Sequence, residues 1–287
     1  MSGVSSLEGW WIERPSGRKL WYRCWRPPTA ARALLVIVHG FGEHGGRYET
    51  FAAALAEQRI WVAAADLWGH GRSEGRRGDS SRVADYVRQA RRITEELFLP
   101  QSGLRGYALF GHSFGGLLAI LWALDHPQGL QRVVVQSPLL EVGFPIPSWK
   151  VAAARLLTHC WPTFLFPMNL DASALSRDQA VVRGYQADPL VHHVMSARVY
   201  CSLLQARQEA FARSAECHAP VLLLCGSADR VISVEAARRW FDRLRGEKRC
   251  LVFPECYHEL HHEPVWTEVV RVVMGWVLGT EQAGQGP

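Results

Sequence analysis

Apolar residues fall in two patterns along this chain. In some places they form short unbroken runs, as strands covered on both faces should. Ala33 to Val38, Ile60 to Ala65, Tyr107 to Phe110 and Val221 to Cys225 are such runs, and Arg132 to Gln136 and Cys250 to Phe253 read as further strands. In others they recur every three or four positions: the spacing of Phe51, Ala54 and Leu55 predicts a helix over Tyr48 to Gln58. Helices are also predicted at about Ser81 to Leu97, Phe114 to His126, Ser233 to Leu244 and Pro264 to Leu278. Before the first run, Trp10 to Ile12 and Leu20 to Trp25 flank Pro15-Ser16-Gly17-Arg18, which reads as a hairpin closed off by Pro27-Pro28. The tail from Gly279 to Pro287 is polar and reads as mobile.

Strands alternating with helices imply a mostly parallel sheet of about eight strands with helices on both faces and an antiparallel edge from the hairpin. The rhythm breaks after Ser137-Pro138. Up to about Leu204 only helical pieces are expected, with an uncharged stretch from Leu156 to Leu170 that holds two prolines. The predicted division is a core of residues 1–138 and 205–287, with a helical insertion at 139–204. In open α/β sheets the chemistry lies beyond the C-terminal ends of the strands. His39, Asp66, Ser113, Asp229 and His258 all lie at or just after such ends.

A length of 287 residues suits one large domain with an insertion. The net charge of +5 is mild and no dense basic block occurs, which argues against a nucleic-acid partner. Seven scattered cysteines without Cys-x-x-Cys point to a reducing compartment, not to a disulfide framework or zinc site. No signal-peptide pattern opens the chain, and no uncharged stretch of 18 residues is present to span a membrane.

The candidate chemistry centres on Gly111-His112-Ser113-Phe114-Gly115, of the form Gly-x-Ser-x-Gly, between a short strand and an apolar helix. Such a turn holds the serine in a strained backbone position with its hydroxyl pushed out. The base is read as His258, in the last loop. His261 and His262 sit where the final helix begins, and the side chain of His112 should point away from the one at 113. The acid is read as Asp229, after the penultimate strand, with Glu141 the runner-up and Glu255 too near His258 in sequence. The order Ser, Asp, His matches a known triad order. An acyl-transfer site also needs oxyanion donors. The backbone N–H groups of Phe114 and Phe41 are best placed, the latter in His39-Gly40-Phe41-Gly42-Glu43-His44. That loop lacks a Walker lysine and fits no dinucleotide fingerprint, and His-x-x-His-His is a weak metal pattern. No cofactor or metal is called for.

These residues resemble an α/β-hydrolase, specifically the monoacylglycerol lipase and lysophospholipase branch. The likeness covers nearly the whole chain: the loop at 39–44 with Arg47-Tyr48, Asp66-Leu67-Trp68-Gly69-His70-Gly71-Arg72-Ser73-Glu74-Gly75, the serine turn, Tyr185-Gln186-Ala187-Asp188-Pro189-Leu190, Gly226-Ser227-Ala228-Asp229 and Tyr257-His258-Glu259-Leu260-His261. The resemblance implies a triad of Ser113, Asp229 and His258 with oxyanion donors at Phe41 and Phe114. It implies that Glu43, Arg47, Tyr185 and His261 line the polar end of the pocket, where a glycerol head would sit. It implies that the insertion at 139–204 is a lid, or cap, over the site and that the substrate is a lipid ester; the expected location is cytoplasmic or peripheral to a membrane, which the cap would touch reversibly. A lysophospholipase, a broad carboxylesterase, other enzymes on this scaffold and a non-catalytic ligand receptor stand as alternatives.

Overall fold

The structure is a computed structural model that describes residues 3–125, 127–145 and 147–280. The opening hairpin is longer than its pattern suggested: β1 (Ser5–Ile12) and β2 (Lys19–Arg26) pair antiparallel along their whole length. Then come β3 (Ala33–Val38), α1 (Glu49–Glu57), β4 (Ile60–Ala65) and α2 (Val83–Ile93). After these follow α3 (Leu99–Ser102), β5 (Tyr107–His112), α4 (Phe114–Leu124) and β6 (Leu130–Gln136). The insertion contributes α5 (Ser148–Cys160), β7 (Leu165–Pro167), α6 (Gln179–Ala187), β8 (Val194–Ser196) and α7 (Ala197–Ala212). The chain closes with β9 (Val221–Gly226), α8 (Val234–Asp242), β10 (Lys248–Phe253) and α9 (Trp266–Leu278).

Eight strands form one sheet in the order β1-β2-β4-β3-β5-β6-β9-β10. All pairs from β4 to β10 are parallel, and β2 joins β4 antiparallel. This is the mostly parallel sheet with an antiparallel edge that the apolar runs predict, and the architecture that the resemblance to an α/β-hydrolase implies. Alternate residues of β3 enter different cores, since successive side chains of a strand face opposite ways. Leu34, Val36 and Val38 pack with α2, α4 and α7, while Ala33, Leu35 and Ile37 pack with α1 and α9. Helix α4 is buried on every side, which accounts for its lack of an amphipathic stripe. A leucine buried this completely contributes about 1.5–3 kcal/mol over an exposed one.

Some elements depart from the pattern. The helix expected over 81–97 breaks into α2, a wide turn at Thr94–Phe98 with i→i+5 bonding, and α3. Pro100 explains this: it has no N–H to give and its ring crowds the carbonyl four residues back. The insertion was expected to be helical, but it also holds a small antiparallel sheet of β7 with β8. Three-residue strands are too short to show a period of two. The residue 204 boundary falls inside α7, which packs on α2, α4 and α5. Helix α4 ends at Leu124, and the expected terminus at His126 lies outside the described residues, as does the tail beyond Thr280.

Candidate active site

Ser113 sits between β5 and α4 with φ 54° and ψ −114°. A non-glycine residue in that region costs on the order of 1–3 kcal/mol and persists only if its surroundings hold it. Here the Ser113 N–H donates to Gln136 O at 3.0 Å, and Ser113 O accepts from Leu139 N at 2.9 Å and Leu117 N at 3.1 Å. The two glycines of the motif make the turn sterically possible. A Cβ on Gly115 would collide with the carbonyl oxygens of Val38 and His39, and one on Gly111 with Gly115 O and with the Ala119 Cβ at 2.8 Å. Ser113 makes no side-chain cap bond to α4, so its hydroxyl does not occupy the first-turn N–H groups.

His258 and Asp229, 29 positions apart, are brought together. His258 Nδ1 lies 2.8 Å from Asp229 Oδ2, and Asp229 Oδ1 accepts from the N–H groups of Val231 at 2.8 Å and Ile232 at 3.1 Å. Burial opposes the charged forms of both, but the partner outweighs it in each case: Asp229 is held below the usual carboxylate range and His258 above the usual imidazole value. The ring of His258 lies 4.7 Å, centroid to centroid, from that of His112, the neighbour of Ser113. Glu141, the runner-up acid, is half-exposed and paired with Arg239 at 3.0 Å. Glu255 is exposed and nearest Arg177.

The rival histidines are engaged elsewhere. Gln136 Nε2 lies 3.1 Å from His112 Nδ1 and 2.8 Å from His261 Nδ1. Burial and then the neighbouring His258 push His112 down to about 4, so it stays neutral near pH 7. Glu259, His261 and His262 offer ligand atoms within 4.8 Å of one another. Both carboxylate oxygens of Glu259 are taken by Arg47, and both ring nitrogens of His262 have partners. Glu259 and His262 are thus engaged within the protein, while His261 keeps Nε2 unpaired.

On the loop after β3, Phe41 meets three rings edge-on: Phe114 at 5.3 Å, His70 at 4.9 Å and His192 at 5.6 Å. Its side chain is thereby locked between the serine turn, the loop after β4 and the insertion. The four residues assigned to a polar pocket end form one connected cluster. Arg47 Nη1 bonds Glu43 Oε2 at 2.6 Å, the Arg47 guanidinium lies 4.8 Å from the Tyr185 ring, and Tyr48 donates to Glu43 at 2.8 Å while stacking on His261 at 4.5 Å. Sequence reading gave no role to Glu259, which binds Arg47 through two hydrogen bonds of 2.6 and 2.7 Å across 212 positions. Gln136 was missed as well. Glu259's position beside His258 was the one available signal. His261 Nε2 is buried without a partner.

A cleft of about 520 Å³ is lined by Glu141 to Pro145, Ser227, Asp229 and Ile232 to Glu235. Asp229 lines it but none of Ser113, His258, Phe41 or Phe114 does, so the chemistry is placed by side-chain geometry and not by this cavity. In the insertion, Phe144, Leu156 and Trp161 are 49%, 68% and 58% exposed. No described helix is long and apolar enough to cross a membrane.

The family model described as serine aminopeptidase, S33, matches residues 29–265. The monoacylglycerol lipase of Mycolicibacterium smegmatis is 33% identical over 264 residues, which are 91% of this chain and 94% of that protein. An uncharacterized abhydrolase domain-containing protein of Dictyostelium discoideum is 31% identical over 89% of this chain, which spans only 27% of that protein's length. The crystal structure of the Paleococcus ferrophilus monoacylglycerol lipase matches with a TM-score of 0.83 at 34% identity, over 91% of this chain and 99% of that one. This chain belongs to the serine aminopeptidase S33 family of α/β-hydrolases, on the branch that holds the monoacylglycerol lipases.

Proposed function

We propose that this protein hydrolyses monoacylglycerols through an acyl-enzyme on Ser113. It is a serine ester hydrolase of its family. Ser113 Oγ attacks the ester carbonyl while His258 takes its proton, and Asp229 holds His258 in the tautomer that leaves Nε2 free to do so. The N–H groups of Phe41 and Phe114 stabilise the oxyanion. His258 returns the proton to the leaving glycerol oxygen, and water then releases the fatty acid by the same steps. The observation that carries the reading is the buried His258–Asp229 bond of 2.8 Å, with the His258 ring 4.7 Å from that of His112, the neighbour of a serine held at φ 54°.

The glycerol head is assigned to the cluster of Glu43, Arg47, Tyr185 and His261, where His261 Nε2 is a buried polar atom without a partner. Residues 139–204 are assigned as the cap, whose exposed Phe144, Leu156 and Trp161 support reversible contact with a lipid surface. Turnover of a long-chain monoacylglycerol, a lysophospholipid and a short p-nitrophenyl ester by the purified chain, with Ser113→Ala as control, tests the reading. Monoacylglycerol should have the highest kcat/KM. A lysophospholipid or short ester well ahead of it would move the assignment to a lysophospholipase or general carboxylesterase. Turnover that survives Ser113→Ala would sink the mechanism.

A further inference from the structure

Gln136 ends β6, which lies in the sheet between the strand that leads to Ser113 and the strand that leads to Asp229. Its backbone is in register with His112 on β5 and Leu224 on β9. Its carbonyl oxygen accepts the Ser113 N–H at 3.0 Å. Its side chain is fully buried, with Nε2 lying 3.1 Å from His112 Nδ1 and 2.8 Å from His261 Nδ1. His112 precedes the nucleophile, and its ring centroid lies 4.7 Å from that of His258 and 5.1 Å from that of His261. His261 stands three residues after His258, on the same turn. We infer that Gln136 is a positioning residue for ester hydrolysis: its carboxamide donates one hydrogen to each of His112 and His261 and locks the turn of the nucleophile to the turn of the base.

The direction of the two bonds follows from the groups present. An amide nitrogen carries two hydrogens, and two ring nitrogens stand within its reach. Turned round, the amide would leave both N–H groups buried without a partner, where now only Oε1 is so. An under-satisfied carbonyl is easier to accommodate than an orphaned N–H. Both rings are able to accept because burial keeps them neutral. It pushes His112 down to about 4, the neighbouring His258 adding to the effect, and His261 well below the ordinary imidazole value. With Nδ1 accepting, each ring carries its hydrogen on Nε2. Turning either ring over would present a carbon to the amide, so orientation is set together with the tautomer. The backbone around Gln136 is also held under strain. Ser137 has φ 45°, its N–H bound to Leu224 O at 2.8 Å, and Ser113 has φ 54°. Non-glycine residues persist there only where the surroundings hold them, and such positions cluster at functional sites. Gln136 is the link between these two strained positions.

The catalytic role rests on the reading of Ser113 and His258 above, while the direction of the two hydrogen bonds does not. In full-length protein carrying 15N-labelled histidine, long-range 1H–15N spectra at neutral pH should show His112 and His261 as Nε2–H tautomers. The signals are assigned by their loss in His112→Asn and His261→Asn. Nδ1–H forms in the wild type would overturn the proposal, whatever the variants do. Gln136→Met fills similar space without a donor. It should lower kcat about ten-fold or more, as a small misplacement of catalytic groups can, with KM changed less. The loss should be the same for a long-chain monoacylglycerol and for a short p-nitrophenyl ester, and fluorophosphonate labelling of Ser113 should slow to match. The short ester and the probe carry no glycerol, so their loss reports the geometry of serine and base. Wild-type rates with both, beside a raised KM for monoacylglycerol alone, would confine Gln136 to binding the head and overturn the positioning role. Rates that fall only in step with the folded fraction, read from a melting curve, would reduce it to packing and overturn the role as well. A wild-type chain that the probe does not label at all would take down the hydrolase reading and the catalytic role together, and the spectra would still decide whether Gln136 donates to both rings.

Discussion

Asp229 divides its two oxygens between different tasks: Oδ2 holds His258 Nδ1 at 2.8 Å, and Oδ1 is held by the N–H groups of Val231 and Ile232. The carboxylate is thereby fixed before it orients the ring. Asp229→Asn should keep the fold and lower kcat by roughly 10³–10⁴-fold, because the amide favours the wrong tautomer. Glu141 cannot substitute, since it points to Arg239. Steady-state kinetics with a circular dichroism spectrum check this, and near wild-type turnover would remove Asp229 from the mechanism.

The pH profile has a definite sign. His258 must be neutral to accept a proton, and Asp229 holds its pKa above the ordinary value of about 6.5. Activity should therefore fall as pH drops, with the midpoint of kcat/KM above that value. In Asp229→Asn the midpoint should move down. A wild-type midpoint well under pH 6 would contradict the close ion pair.

Arg47 neutralises two buried carboxylates. Arg47→Met should destabilise the protein by about 3–5 kcal/mol, as breaking a buried pair from one side does. Glu43 and Glu259 both have folded pKa values below their unfolded ones, burial opposing and Arg47 prevailing. Their contribution is thus present above the unfolded value of about 4.3 and is lost as pH falls toward the folded values. Urea titrations at pH 7 and below 4.5 should show wild-type stability dropping on acidification, and a smaller drop in Arg47→Met.

Gly115→Ala should fail to fold or lose well over 3 kcal/mol, since the added Cβ would meet two backbone oxygens that no rotamer change can move. Gly103→Ala is the control for losing a glycine. It occupies a left-handed position with open space around it and should cost only about 1–2 kcal/mol. Denaturant midpoints compare the two, and equal losses would mean that the close approach of α4 to β3 is not what requires glycine.

The cap prediction concerns lipid surfaces. Phe144→Ser with Leu156→Ser alters two exposed side chains and should change stability by about 1 kcal/mol or less. Turnover of a short soluble ester should hold, while sedimentation with lipid vesicles should weaken several-fold, each buried CH₂ being worth about 0.8 kcal/mol. Unchanged vesicle binding would end the assignment of this face to membrane contact.

Hydrophobic patterning alone determined the sheet, because strands buried on both faces must be apolar throughout: β3, β4 and β9 lie where their unbroken runs put them. It also placed Ser113 on a strand-to-helix turn, since two glycines around a serine leave little else sterically possible. The residues His258 and Asp229 were legible from their positions after the last two strands, but their bond was not. Parallel strands bring distant segments to one end of the sheet, and only the packed chain decides which side chains then touch. The Arg47–Glu259 pair spans 212 positions, and Gln136 reaches two histidines from a strand end. Charge pairing at that separation leaves no periodicity to read. The same holds for β7 with β8, whose three-residue strands pair because the chain between them folds back on itself. Local pattern determines which elements form, and tertiary contact decides the partners that keep Asp229, Glu43 and Glu259 charged despite their burial.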